Sequence, residues 1–304
     1  MARLVFLGTP PAAAVSLAAL VRAGHDVELV VSRADTRRGR GTARTPSPTK
    51  QAALELGLEV TDRLDDITST GAALGIVVAY GRLVPGRILE SLPMVNLHFS
   101  LLPRWRGAAP VERAVLAGDV ETGVCVMRLE ETLDTGPVLA SRQVGIDEHE
   151  HVSSLVDRLA STGAQLLVEV LAPGVDALGA GTPQRGEVTY AEKVLPEELR
   201  LQWSQPAAVL ERVVRLDRAW TTFRGDRLLV LDAEARPHSV SSAGPDDTPG
   251  PPGTLHETRV DTGEGVMELH VVQPAGKRPM PAAAWWRGMR VEAGERLGDE
   301  GERR

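Results

Sequence analysis

Three short apolar runs punctuate the first 80 residues: Leu4–Leu7, Val27–Val31 (interrupted only by Glu28) and Leu74–Ala79. Helical patterns lie between them. One spans Ala12–Ala23 and stops at Gly24; another spans Lys50–Leu56 and stops at Gly57. Strands that are apolar throughout are buried on both faces, and strand–helix alternation at this spacing predicts a parallel sheet covered by helices on both sides. The first turn, Gly8-Thr9-Pro10-Pro11, supplies only the first glycine of a dinucleotide fingerprint, which excludes an NAD-dependent enzyme.

Further strand and helix signals follow at Gly123–Leu129 and Val152–Leu171. The helix is amphipathic, with Leu155, Val156, Leu159, Leu166, Leu167 and Val170 on its apolar side and Ser153 and Ser154 where a cap belongs. A glycine-rich stretch from Gly174 to Gly186 ends this unit, and Thr189–Pro206 reads as a connector. Beyond Trp220 the pattern changes to short strands between turns: Thr221–Arg224, Leu228–Ala233 and Val266–Val272. The Pro/Gly/Asp-rich stretch Pro245–Gly253 reads as a loop. Short strands over such a span predict a small β-barrel. A length of 304 residues suits two domains.

Cys125 is the only cysteine, so no intrachain disulfide forms and a reducing, cytoplasmic setting is expected. The chain runs directly from Met1-Ala2-Arg3 into a strand too short for a secretory leader, and no apolar stretch nears the roughly 18 residues of a membrane span. The net charge of −7 argues against a general nucleic-acid binder. Its distribution is uneven. Residues 1–50 hold eight basic and three acidic residues, a balance of +5, so the remainder carries −12. Five arginines fall between Arg33 and Arg44, a patch that reads either as a solvated loop or as a local contact with a polyanion.

Chemistry is suggested by Val95-Asn96-Leu97-His98-Phe99-Ser100, followed by Leu101-Leu102-Pro103-Arg104-Trp105-Arg106-Gly107. In a strand Asn96, His98 and Ser100 share one face, opposite Val95, Leu97 and Phe99. Pro103 then ends the strand. Asn96 and His98 at the end of a buried strand read either as a satisfied core pair or as a reactive site. Asp134, in a Leu-Asp-Thr-Gly turn just past another strand, supplies a carboxylate partner. Such a partner fixes a histidine's tautomer and favours the imidazolium. An amide donor beside an imidazole makes an oxyanion-stabilising pair, and direct attack on a carbonyl by a substrate nucleophile follows without a covalent intermediate. His149-Glu150-His151 could bind metal, but residues one and two apart on a helix do not face each other. The segment precedes a helix N-terminus, where acids are favourable anyway, and no metal is expected. Of Trp285 and Trp286, at least one is expected in a core.

These residues together resemble the methionyl-tRNA formyltransferase family over nearly the whole chain. Gly8-Thr9-Pro10 resembles its opening motif; Gly39-Arg40-Gly41 and Thr45–Lys50 resemble its basic loop and the helix after it. The run from Asn96 to Pro110 is similar to its signature almost letter for letter. Gly118-Asp119, Glu121–Val124, Leu133–Gly136, Thr189-Tyr190-Ala191 with Lys193, Gly276-Lys277-Arg278 and Gly294–Gly298 continue the likeness. The resemblance implies a Rossmann-like catalytic domain over 1–188, a linker over 189–206 and an OB-like, tRNA-binding barrel over 207–304. It implies a monomer without membrane contact that uses 10-formyltetrahydrofolate, no metal, and initiator methionyl-tRNA. Asn96, His98 and Asp134 would be catalytic. Ser100, Leu101, Leu102 and Pro103 would line the folate site. Arg37, Arg38, Arg40, Lys277 and Arg278 would contact tRNA.

Two departures stand out: Pro11 and Ala12 occupy positions where the family usually has Asp-Phe, and Thr42-Ala43 intervene before Arg44 in the basic loop. A sister formyltransferase acting on a small amine would share Asn96, His98 and Asp134, and a non-catalytic folate- or tRNA-binding protein is a third reading.

Overall fold

The computed structural model describes residues 1–37, 44–237, 250–292 and 294–299. They form two compact units. The first comprises Met1–Val111, Val120–Ile146 and Leu155–Lys193; the second comprises Glu112–Asp119, Asp147–Ser154 and the chain from Val194 onward.

The first unit is built on the elements up to Ala191, most of α4 excepted: β1 (Arg3–Gly8), α1 (Pro11–Arg22), β2 (Asp26–Val31), β3 (Thr36–Arg37), β4 (Arg44–Thr45), α2 (Pro48–Glu55), β5 (Val60–Thr61), β6 (Leu74–Val78), α3 (Gly86–Ser91), β7 (Met94–His98), β8 (Arg106–Gly107), α4 (Pro110–Ala117), β9 (Glu121–Arg128), β10 (Val138–Gly145), α5 (Val152–Leu171) and β11 (Tyr190–Ala191). Its seven-stranded sheet has the order β10-β9-β7-β6-β1-β2-β5. Strands β5, β2, β1, β6 and β7 run parallel, while β9 and β10 are antiparallel additions. The parallel core is the apolar alternation of the sequence made solid: Leu4, Val5, Phe6, Leu7, Ile76 and Val78 are all buried. Pro11, where the family resemblance led to an Asp, serves as the first residue of α1, a position with no intrahelical use for an N–H. The Ser47 hydroxyl caps α2 by accepting from the Lys50 N–H at 3.0 Å. On one face of the sheet α5 lies against β7: a Cβ on Gly163 would fall 2.7 Å from the Leu97 side chain. Leu97 therefore packs, and by the period of two its neighbours Asn96 and His98 look to the other face.

The expected connector is ordered chain. Tyr190 and Ala191 pair in parallel with Arg106 and Gly107, and Leu201 and Trp203 are buried in the core of the second unit. Trp203 there donates its indole N–H to Thr221 Oγ1 at 2.9 Å. That unit holds α6 (Ala207–Val214), β12 (Trp220–Phe223), β13 (Asp226–Arg236), β14 (Leu255–His256), β15 (Arg259–Asp261), β16 (Val266–Pro274), β17 (Met280–Pro281) and α7 (Ala282–Met289). The strands form one antiparallel sheet, β12-β13-β16-β15-β14, with β17 added beside β16. Trp285 is in its core and meets Phe223 edge to face at 5.1 Å, while Trp286 is only partly buried. Among the described residues no helix is long and apolar enough to cross a membrane.

His149 and His151 go to separate carboxylates of this second unit. His149 Nδ1 lies 2.5 Å from Glu211 Oε1, and His151 Nδ1 lies 2.7 Å from Asp217 Oδ1. The hydrogen bond to Glu211 raises the His149 pKa above its ordinary value. A raised folded-state pKa adds stability at low pH that is lost as pH rises through it. Thermal unfolding should therefore show a second unit slightly less stable at pH 8 than at pH 6. The His149 side chain is 58% exposed, so the effect should stay under about 1 kcal/mol. In His149→Ala this increment should vanish; an unaltered pH dependence in the variant would assign it elsewhere.

Candidate active site

Strand β7 is flanked by parallel β6 and antiparallel β9, with Asn96 opposite Met127 and His98 opposite Cys125. Its last residue is His98. Asn96, His98 and Asp134 are 9%, 6% and 8% exposed, which is rare for polar groups unless they are held by partners. All three line one cavity of about 420 Å³, walled by Val77, Ala79–Val84, Gly107 and Leu129–Leu133. The walls come from two turns: Ala79 and Gly81 carry φ of 44° and 79°, and Asp134 carries 52°.

The donors and acceptors fix the histidine tautomer. His98 Nε2 lies 2.8 Å from the Trp105 carbonyl, which can only accept, so Nε2 carries a hydrogen. Nδ1 then faces Asp134 Oδ2 at 3.7 Å. That same carboxylate oxygen accepts from the Gly107 N–H at 2.8 Å, and Oδ1 receives a long 3.5 Å bond from Asn96 Nδ2. Asn96 thus commits one N–H to Asp134 and keeps a second, with no partner among the described residues, for an acceptor in the cavity. This arrangement can polarise a carbonyl and exchange a proton at a single ring nitrogen. Cys125, beside His98 in the register, is buried, and burial pushes its thiol pKa up, away from the thiolate a nucleophile needs.

The expected folate residues behave differently. None of Ser100, Leu101, Leu102 and Pro103 lines the cavity. The strand ends at His98, and Ser100 lies two residues beyond it, its hydroxyl 3.4 Å from the Trp105 carbonyl that His98 also meets. Fully buried, Ser100 donates its hydroxyl to the Arg104 carbonyl at 2.6 Å and shapes the turn instead. Leu101 packs where β9 carries Gly123: a Cβ there would meet the Leu101 side chain at 2.5 Å. In the same loop the Arg104 guanidinium stacks 4.5 Å from the Trp105 ring centre. Sequence reasoning missed Gly107, Gln184 and the cavity walls. The only sequence signal for the walls was a glycine, Gly81, just past a buried strand.

Of the expected tRNA contacts, Lys277 and Arg278 lie exposed in the turn between β16 and β17. Arg38 and Arg40 lie outside the described residues. For Arg37 the backbone alone is described, paired with Arg44.

The fold and site define a formyl transferase. The sequence pattern of the family described as "Formyl transferase" matches residues 2–171, and that of "Formyl transferase, C-terminal domain" matches residues 193–290. A protein named "Methionyl-tRNA formyltransferase" from Clavibacter michiganensis subsp. michiganensis is 44% identical over 305 residues, covering 94% of this chain and 97% of that one. Another of the same name from Thiobacillus denitrificans is 41% identical over 315 residues, covering 97% and 99%. Among solved structures, HypX from Aquifex aeolicus in complex with tetrahydrofolic acid superposes with a TM-score of 0.66 at 17% identity, covering 97% of this chain and 48% of that one. The chain belongs to the methionyl-tRNA formyltransferase family.

Proposed function

We propose that this enzyme transfers the formyl group of 10-formyltetrahydrofolate to the α-amino group of methionyl initiator tRNA in the cytoplasm, by direct attack of the amine. The convergence of Asn96, His98 and Asp134 on one cavity carries the reading. The spare Asn96 N–H gives one donor to the formyl oxygen as it gains negative charge, and His98 Nδ1 gives a second once it has taken the proton of the attacking amine. Because Nε2–H is tied to the Trp105 carbonyl, Nδ1 is the ring atom left to exchange protons. Asp134 Oδ2 offsets the charge of the ring. As the new C–N bond forms, the amine gives its proton to the imidazole–carboxylate pair. As the bond from the formyl carbon to folate N10 breaks, the pair returns a proton to N10. The folate ring would occupy the cavity between Ala79–Val84 and Leu129–Leu133, and the Ser100–Pro103 turn would support His98 from behind.

Incubation with 10-formyltetrahydrofolate and charged initiator tRNA should yield formylmethionyl-tRNA. Product on an aminated nucleotide sugar or on glycinamide ribonucleotide, with none on the tRNA, would replace this reading with that of a small-amine enzyme.

Arg37, Arg38, Arg40, Lys277 and Arg278 are proposed to meet tRNA phosphates. Each phosphate contact lowers the log of affinity against the log of salt by about 0.7 to 0.9. Lys277→Ala with Arg278→Ala should weaken tRNA binding and flatten that slope by about 1 to 2. An unchanged slope removes this turn from the interface.

A further inference from the structure

Asp134 sits on a turn held only partly from within, by the Thr135 hydroxyl, which reaches the Thr132 carbonyl at 3.3 Å. The Asp134 φ of 52° lies in the left-handed region, which costs an aspartate energy unless neighbours impose it. The Gly107 N–H holds the carboxylate, and the carbonyls of Asp134 and Gly136 are held from farther along the chain. Gln184, 50 residues on, donates Nε2–H to the carbonyls of Asp134 and Gly136, each at 2.8 Å. Its Oε1 accepts from Arg106 Nε at 3.0 Å and Nη2 at 2.6 Å. A guanidinium only donates and a carbonyl only accepts, so the amide orientation is unambiguous, and all four of its hydrogen-bonding positions are filled.

The chain that delivers Gln184 is anchored along its length. Arg128 Nη2 reaches the carbonyls of Leu178 and Gly179 at 2.9 and 2.6 Å. Val138 and Thr182 exchange both backbone hydrogen bonds at 2.8 Å. Residues 178–184 thus lie as a strap along the start of β10, with Gln184 at its end.

We propose that Gln184 is a positioning residue: it clamps the 134–136 turn to Arg106 and so sets the 3.7 Å approach of Asp134 to His98. The proposal rests on the reading of Asp134 as part of the formyl-transfer site. Arg106 and Gly107 are neighbours in β8. One strand therefore holds Asp134 twice, through its carboxylate directly and through its backbone by way of Gln184.

The test is a double-variant cycle on the full chain, read by formyl transfer from 10-formyltetrahydrofolate to methionyl initiator tRNA, with Tm and hydrogen exchange measured alongside. Gln184→Ala should lower kcat by about 10- to 100-fold, leave KM for the folate within about twofold, and speed exchange of the Gly107 amide. In an Asp134→Asn background the same change should add less than about threefold, because the group it positions is already lost. Gln184→Glu keeps the size and the Arg106 partner but turns both carbonyl-facing donors into acceptors. It should reproduce the loss, and it decides the matter if the alanine variant is too unstable to assay. An unchanged kcat, or losses that multiply in the Asp134→Asn background, overturns the clamp. A normal rate in Asp134→Asn alone instead overturns the reading of Asp134, and the proposal with it.

Discussion

His98→Ala and Asp134→Asn are each expected to lower kcat by about two to four orders of magnitude. The two losses should not multiply, because the side chains act as one unit. Without the ring, the proton-exchanging atom and one of the two oxyanion donors are both gone. Without the carboxylate charge, Asp134→Asn keeps its volume, but nothing offsets the imidazolium. Folding should survive both changes. His98→Ala removes the 2.8 Å donor from the Trp105 carbonyl, which keeps the Ser100 hydroxyl at 3.4 Å, so the cost is about 1 kcal/mol. The parallel strands that form the core do not depend on it. Single-turnover rates at saturating 10-formyltetrahydrofolate, with Tm as the folding control, check the expectation. Near-normal rates in both variants would sink the assignment of the site.

How much of this was legible in the sequence follows from what each residue depends on. The parallel core was, because β6, and β1 beyond its exposed Arg3, carry no polar side chain and such runs fit only a doubly covered sheet. Asn96 and His98 were, because polar groups inside a buried strand demand a reason. Ser100 lies two residues past the last residue of the strand, yet its hydroxyl reaches the same Trp105 carbonyl as the His98 ring, at 3.4 Å. Strand β10 left no clear trace: its sequence VLASRQVG mixes apolar residues with Ser, Arg and Gln and has no buried position, as fits the edge of the sheet, where burial does not dictate composition. The partners of His149 and His151 depend on Glu211 and Asp217, more than 60 residues away, a distance no local pattern spans. Gln184 is the sharpest instance. It sits in a stretch that reads as a glycine-rich end to the domain, and its meaning appears only when the fold brings it beneath Asp134.

The dependence of the site on the backbone of its turn gives the second large effect. Gly136→Ala adds one methyl group, yet its Cβ would lie 1.9 Å from the carbonyl oxygen of Arg128 and 2.9 Å from the carbonyl carbon. Both are backbone atoms of β9, which is paired on both sides and cannot yield as a side-chain tip would. The turn must therefore move by roughly 1 Å, and Asp134, two residues earlier, moves with it. A misplacement of that size is enough to cost about 100-fold in rate. Strain of this kind also destabilises by about 1–3 kcal/mol, so Tm should fall by several degrees. Gly145→Ala is the matched control: it lies in β10 of the same sheet, and a Cβ there meets nothing within 4 Å. That variant should keep both the rate and the Tm of the parent. A Gly136→Ala enzyme with the parental kcat would show that the turn relaxes without carrying Asp134 along, and that the carboxylate position tolerates more than the 3.7 Å geometry implies.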